Sequence, residues 1–345
     1  MPLEHRPLEH RPIMPADTGA WSALTDALAA ADGTDERYAP EDLAEELDEP
    51  GFTAALDSIG VWDGDRMVGY GQLRVRTALL EGRAIANIHG GVDPAYRGRG
   101  VGRDIMDRLE ARAGQLAAER HPGAPVRVDV WANAPGSGTT RLAAARGYEP
   151  VRYFQDMRLD LPRWQAPDTG QGPDQGQPSP LALPFEPRHA EAVRLAHNEA
   201  FADHWGSTPR TPEAWADMLA SRSARPALSR VALSRPRTGA SAGPAASSAP
   251  EGTGAPAADA VDSYVLCAEW TPGTLHVNLV GTRRRARGRG LAATLLTDVV
   301  RAAREAGYQC VELGVDSESP TGAVGLYERV GFATIRTNVV YSRLL

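Results

Sequence analysis

Apolar and polar positions along this chain switch between two periods, and the whole succession runs twice. Helical spacing spans Asp17 to Ala31 and Pro40 to Leu47, each stretch with acidic residues near its start, which predicts two helices. Ile59 to Trp62, Met67 to Arg76 and Arg83 to Val92 alternate or run apolar, which predicts three strands, with Asp63-Gly64-Asp65 as a hairpin turn. The helical period returns over Arg99 to Glu119, through Ile105, Leu109 and Leu116. A strand at Val126 to Trp131, a helix near Gly138 to Arg146 and a closing strand at Tyr153 to Leu161 complete the first unit.

The order then recurs. A strand near Leu183 leads to helices over His189 to Ala202 and Pro212 to Ala220. Strands follow at Tyr264 to Trp270 and Leu275 to Val280, then a helix carrying Leu295, Leu296, Val299 and Val300. Cys310 to Asp316 alternates as a strand, and a last helix ends at Gly331-Phe332. Trp164 to Pro180 is rich in Pro, Gly and Gln without a period and reads as a linker. Arg235 to Asp262 is almost entirely Ala, Gly, Ser, Pro and Thr; such a stretch buries no core and is expected to be a disordered insert. The expected organisation is therefore a domain over 1–162, a linker over 163–180, and a domain over 181–345 holding the insert at 235–262.

One block marks each unit: Arg97-Gly98-Arg99-Gly100-Val101-Gly102 and Arg287-Gly288-Arg289-Gly290-Leu291-Ala292. Each sits between a predicted strand and a predicted helix. Glycines there let backbone N–H groups point outward at the positive end of the helix, a seat for phosphate oxygens. The blocks lie 190 positions apart (97 to 287) and the closing Gly-aromatic pairs 184 apart (147 to 331), so six residues separate the two registers. Repeats of this size are domains.

The pattern R-x-x-G-x-[GA] between a strand and a helix resembles the acyl-CoA signature of the GNAT superfamily of N-acetyltransferases. Leu326-Tyr327-Glu328-Arg329-Val330-Gly331-Phe332 is similar to that family's terminal L-Y-x-x-x-G-F helix. The likeness covers nearly the whole chain as two tandem units, similar to two-domain members of the family. It implies an α/β (α+β) fold: two tandem GNAT-like domains, each a mixed, mostly antiparallel sheet flanked by helices. It also implies acetyl-CoA, or another acyl-CoA, as donor. The pyrophosphate would lie on the amides of residues 98–102 or 288–292, assisted by Arg97 and Arg99 or by Arg287 and Arg289.

Transfer from a thioester to a primary amine requires deprotonating the amine, stabilising the carbonyl oxygen and protonating the departing thiolate. The resemblance gives the last role to Tyr327. At the matching place in the first unit, four residues before Gly147, stands Ala143, so the C-terminal unit is expected to be the catalyst. Ser319 stands where the family commonly has Asn, and a backbone N–H around Val280 to Gly281 is the implied oxyanion donor. For the base, Glu269 and His276 are candidates on the central strands. His276 and Asn278 are two apart and expected to share a sheet face. His204-Trp205-Gly206-Ser207-Thr208-Pro209 falls where the family builds its acceptor wall. The rival reading is a non-catalytic module that binds acyl-CoA as a sensor or scaffold.

Composition narrows the rest. A net charge of −7 argues against a nucleic-acid partner, although Arg283, Arg284, Arg285, Arg287 and Arg289 form a local basic run, expected as a solvated cluster around the donor phosphates. Cys267 and Cys310 are too few for a disulfide framework and are expected reduced and buried. No apolar run reaches 18 residues and the first fifteen residues are polar, so a cytoplasmic protein without membrane contact is expected. No metal is expected. The acceptor is expected to be a small-molecule or peptide amine.

Overall fold

The computed structural model describes residues 7–34, 37–133, 136–166, 181–234, 260–319 and 321–345. Most of the expected linker and insert lies outside them, although Val261 and Asp262 already belong to a strand. In the N-terminal unit the strands are β1 (Glu9–Arg11), β2 (Ser58–Asp63), β3 (Arg66–Val75), β4 (Ala84–Val92), β5 (Val126–Ala132) and β6 (Glu149–Asp160). Its helices are α1 (Thr18–Asp32), α2 (Pro40–Leu47), α3 (Ala54–Asp57), α4 (Val101–Arg120) and α5 (Gly138–Ala145). The C-terminal unit carries β7 (Leu183–Pro184), β8 (Arg230–Leu233), β9 (Val261–Ala268), β10 (Thr274–Thr282), β11 (Cys310–Asp316) and β12 (Ala333–Leu344). Its helices are α6 (Ala190–Ala200), α7 (Pro212–Ala220), α8 (Leu291–Glu305) and α9 (Ala323–Val330).

Each sheet half is buried on both faces, which is why its strands run apolar rather than strictly alternating. On one face Ile105, Leu109 and Leu116 of α4 pack on Val61, Leu73 and Val128. On the other, Trp21 and Leu24 of α1 and Leu43 of α2 pack on Trp62 and Met67. The C-terminal unit repeats the sandwich, with Leu295, Val299 and Val300 of α8 against Val265, Leu275 and Val311, and with Val193 of α6 and Trp215 of α7 against Val231 and Leu266.

The described strands form one sheet in the order β1-β2-β3-β4-β5-β12-β6-β11-β10-β9-β8-β7. Pairing is antiparallel except for β4 with β5 and β10 with β11. The centre departs from the sequence expectation. The strand expected to close the first unit, β6, pairs instead with β11 and β12, while β12 returns to pair with β5. The two units thus exchange their last strands. Cross-strand ion pairs hold the exchange: Arg152 to Asp316 at 2.9 Å, Arg158 to Glu312, and Arg336 to Asp156 at 2.9 Å. Met157, Leu159, Leu161 and Trp164 are buried in the core built around α8, and Trp164 Nε1 donates to the Val330 carbonyl at 2.9 Å.

Burying side chains of that size contributes roughly 1.5–3 kcal/mol each, so withdrawing the four would cost as much as the ~5–15 kcal/mol that keeps a domain folded. Neither unit is then complete alone. We expect a single unfolding transition for the chain in scanning calorimetry; two resolved transitions would show that the exchanged strands do not couple the units.

Candidate active site

Both glycine blocks fold into the same turn. Gly98 and Gly100 have φ of 75° and 91°, and Gly288 and Gly290 have 73° and 74°. This left-handed region costs other residues about 1–2 kcal/mol, so the pattern of glycines is set by the backbone. Gly290 caps α8 and Gly100 caps α4, and neither helix start has a side-chain cap. The leading amides are left for an exogenous anion. A Cβ on Gly288 or Gly290 would meet no atom within 4 Å, so the seat is open.

Beyond the turns the units diverge. Strand β10 carries a bulge between Val277 and Leu279, at Asn278, and its parallel pairing with β11 ends at His276 opposite Glu312. A bulge bends its strand and interrupts the ladder. The two strands therefore splay into a wedge whose edges carry unpaired backbone groups. Strand β4 has no such break against β3 and stays paired with β5 through Ile88 and Val130. The first unit thus has the same turn with a shallower opening, since β4 leaves β5 two positions later than β10 leaves β11.

The wedge opens into a cavity of about 1290 Å³. Its lining includes Asn278, Val280, Gly281, residues 287–292, Ser319 and Tyr327 from the C-terminal unit. Asn87, His89 and Arg76 line it from the N-terminal unit, and none of residues 97–102 does. The predicted acceptor wall, His204 to Pro209, also lines it. Tyr327 sits on α9, 7% exposed, where burial pushes its hydroxyl up to about 12. Ser319 bonds Thr321 Oγ1 at 2.8 Å.

Gly281, one residue past the predicted strand but inside β10, answers a packing need. It pairs directly with Tyr264, and a Cβ there would lie 2.4 Å from the Tyr264 hydroxyl. That hydroxyl bonds His197 Nδ1 on α6 at 2.7 Å, and Ser263 Oγ donates to the Gly281 carbonyl at 3.0 Å. The segment after the bulge is thereby fixed from both sides. In the first unit the matching Gly91 pairs with Tyr70, and Leu28 fills the space over it.

The two base candidates separate. Glu269, at the end of β9, lines neither this cavity nor a neighbouring smaller one. Its carboxylate accepts from Arg225 at 2.9 Å, Tyr308 at 2.7 Å and the Gly273 amide at 3.1 Å, and although burial opposes them these bonds hold it below the usual carboxylate range. Glu269 is a clasp across a hairpin, and its expected role as base is corrected on that ground. His276 lines the smaller cavity, of about 250 Å³, which shares Leu313 with the larger one. Its ring lies 4.6 Å from that of Trp270, and burial pulls it down to about 4, against the opposing pull of Asp156. The imidazole is neutral at pH 7. The bulge also undoes the expected alignment with Asn278, since one extra residue shifts the alternation.

The family model for "Acetyltransferase (GNAT) family" matches residues 21–130 and 256–332, more than half of the chain and both units. The chain belongs to the GNAT acetyltransferase family. Mycothiol acetyltransferases of Streptomyces avermitilis and Geodermatophilus obscurus are similar to it. The first is 28% identical over 289 residues, covering 81% of this chain and 77% of the relative. The second is 29% identical over 347 residues, covering 95% of each. A GCN5-related N-acetyltransferase from Sphaerobacter thermophilus has a TM-score of 0.71 at 25% identity, covering 98% of this chain and 95% of its own. A tandem GNAT protein from the clavulanic acid biosynthesis pathway has a TM-score of 0.64 at 19% identity over 98% of both chains, a likeness of fold. This GNAT enzyme moves an acetyl group from acetyl-CoA to an amine.

The basic run of this GNAT chain is exposed as expected, apart from half-buried Arg283, but most of its charges are already paired with acids. Arg283 pairs with Glu199 at 2.5 Å, Arg284 with Asp203, and Arg285 and Arg289 with Asp262 at 2.9 and 3.5 Å. Among the described residues Arg287 donates to the carbonyls of Thr282 and Ala200 and to no carboxylate, whereas Arg97 in the first unit is neutralised by Asp32 at 3.0 Å. Among the described residues no helix is long and apolar enough to cross a membrane.

Proposed function

We propose that the C-terminal unit performs the transfer in the wedge between β10 and β11, and that the N-terminal unit supplies the far wall of the acceptor cleft without a reaction of its own. The observation that carries this is the joint opening of the bulge, Tyr327 and residues 287–292 into one cavity. Amides of residues 288–292, with Arg287, hold the donor's pyrophosphate, and Ser319 flanks its tail. One backbone N–H, of Val280 or Gly281, is offered to the carbonyl oxygen as it takes up charge, since consecutive N–H groups of a strand face opposite edges. Tyr327 delivers a proton to the departing thiolate. His276, neutral at pH 7, is the base candidate that remains; it lines the adjoining smaller cavity, so the proton that the new C–N bond makes acidic reaches it from the cleft past Leu313.

The acceptor is a primary amine of a small molecule. Because relatives along most of the chain are named mycothiol acetyltransferases, an acceptor of that class belongs first in the panel. The donor is a metabolite of the cell interior, which places the reaction in the cytoplasm. Free thiol release from acetyl-CoA, followed against small primary amines, thiols and peptides, tests the reading; no turnover with any of them would leave a binding module instead. Since Leu28 closes the first unit over Gly91 and none of residues 97–102 lines the cleft, we expect calorimetric titration with acetyl-CoA to give one site per chain. Two equivalent sites would contradict the division of labour.

A further inference from the structure

We propose that the N-terminal-unit end of the cleft is an oxyanion site, in which Arg76, Arg120 and Arg210 seat a carboxylate or phosphate carried by the acceptor amine. This rests on the reading that the acceptor enters the cleft, and it names the acceptor's chemical class.

Three separate segments bring these residues to the lining of one cavity, with the Arg210 charge acting on Arg76. Arg76 directly follows β3, Arg120 ends α4, and Arg210 lies in the loop before α7. Arg76 donates to the Gly206 carbonyl, and Arg120 to the carbonyls of Val75 and Gly51. Among the described residues none of the three has a carboxylate within ion-pair distance, and Arg210 is exposed. Their neighbours differ. Arg74, two residues before Arg76, pairs with Glu49 at 2.5 Å, and Arg127 pairs with Asp129 at 2.9 Å. Asp129 is further engaged by Ser342 at 2.5 Å. Glu213, the other carboxylate lining this end, stands in the first turn of α7 and acts on Arg194.

Positive charge therefore exceeds negative charge here, in a chain of net charge −7. Burial, with Arg127 and Arg210 close by, disfavours the charge on Arg76, and Asp129 only partly offsets this. An unpaired, half-buried guanidinium is costly unless an anion completes it. Its planar fork matches the two oxygens of a carboxylate or phosphate.

The fold holds this end in shape. Trp205 lies with Arg127 5.3 Å from its ring centroid and Phe154 6.3 Å away, so a loop of the C-terminal unit is anchored on the N-terminal one. Asn198 Oδ1 accepts from the Arg210 amide at 2.8 Å, and Arg194 donates to its carbonyl at 2.8 Å. Both bonds fix the backbone from which the third guanidinium projects.

Two matched pairs of amines test the site: glycine against glycinamide, and phosphoethanolamine against ethanolamine. Wild type is compared with Arg210→Gln and Arg120→Gln by thiol release from acetyl-CoA. We expect the anionic member of at least one pair to be favoured by about tenfold or more in kcat/KM, the range of a charge-assisted bond. The favoured pair identifies carboxylate or phosphate. Arg210→Gln, which leaves the Arg76–Gly206 contact in place, is expected to erase about tenfold of that preference, with KM for acetyl-CoA and the neutral amine's rate unchanged. Equal or better use of the neutral members, or a preference kept in both variants, overturns the proposal. If none of the four amines is acetylated, the same pairs are titrated calorimetrically into the CoA-bound protein. Tighter, arginine-dependent binding of an anionic member then sustains the site although the transfer reading fails; indifference to charge ends it.

Discussion

Tyr327→Phe is expected to lower kcat by about 10²- to 10⁴-fold, the range for losing a positioned proton donor, with acetyl-CoA affinity nearly unchanged. A phenol ordinarily holds its proton more tightly than a thiol, by roughly 1.5 units in water, and burial carries Tyr327 up to about 12. Taken alone, that makes it a poor acid. On the proposed reading the departing sulfur shares that cavity, and burial acts on thiols in the same sense: Cys267, buried in the core beside α8, is pushed up to about 12. Desolvation thus raises the proton affinity of the thiolate alongside that of the phenolate, and transfer between them approaches balance. The substitution removes one oxygen and leaves the ring in place, 6.1 Å from Phe332 in the core around α8. Steady-state thiol release, with calorimetry for the donor, checks the split. An unchanged kcat would remove Tyr327 from the chemistry.

The features legible in the sequence are those written in short windows. Left-handed turns demand glycine wherever they occur, so both phosphate turns stand out in the order of residues alone. The contrast of Tyr327 with Ala143 is visible because each is counted back from its own closing glycine. What stayed hidden depends on distant partners. A strand such as β6 has the same buried face in either sheet, so its exchange with β12 leaves no local trace. The bulge at Asn278 adds one residue to a run that is apolar on both sides, Val277 before it and Leu279 after, so no break in alternation announces it. Glu269 reads alike as base or clasp until Arg225 and Tyr308, about forty positions away on either side, arrive beside it. The same holds for Arg283 to Arg285, whose acids come from α6, the loop after it and β9.

Gly290→Glu is expected to abolish acetyl-CoA binding, weakening it by at least about 10²-fold as charge-assisted contacts to the diphosphate are lost. Two effects add. The backbone at φ of 74° tolerates a side chain only with strain of about 1–2 kcal/mol. The introduced carboxylate also lies at the uncapped start of α8, where it can take the amides that the diphosphate needs and repels that diphosphate. Because a Cβ at this position meets nothing within 4 Å, the side chain enters open space and the domain should remain folded, which a thermal melt would confirm. Gly100→Glu is the matched control. The turn there is the same, with φ of 91°, but none of residues 97–102 lines the cleft and Arg97 is already neutralised by Asp32. If the C-terminal seat alone holds the donor, the control leaves the calorimetric Kd and stoichiometry as in wild type. An equal loss in both variants would place a second donor in the N-terminal unit, and unaltered binding by Gly290→Glu would put the diphosphate somewhere other than the start of α8.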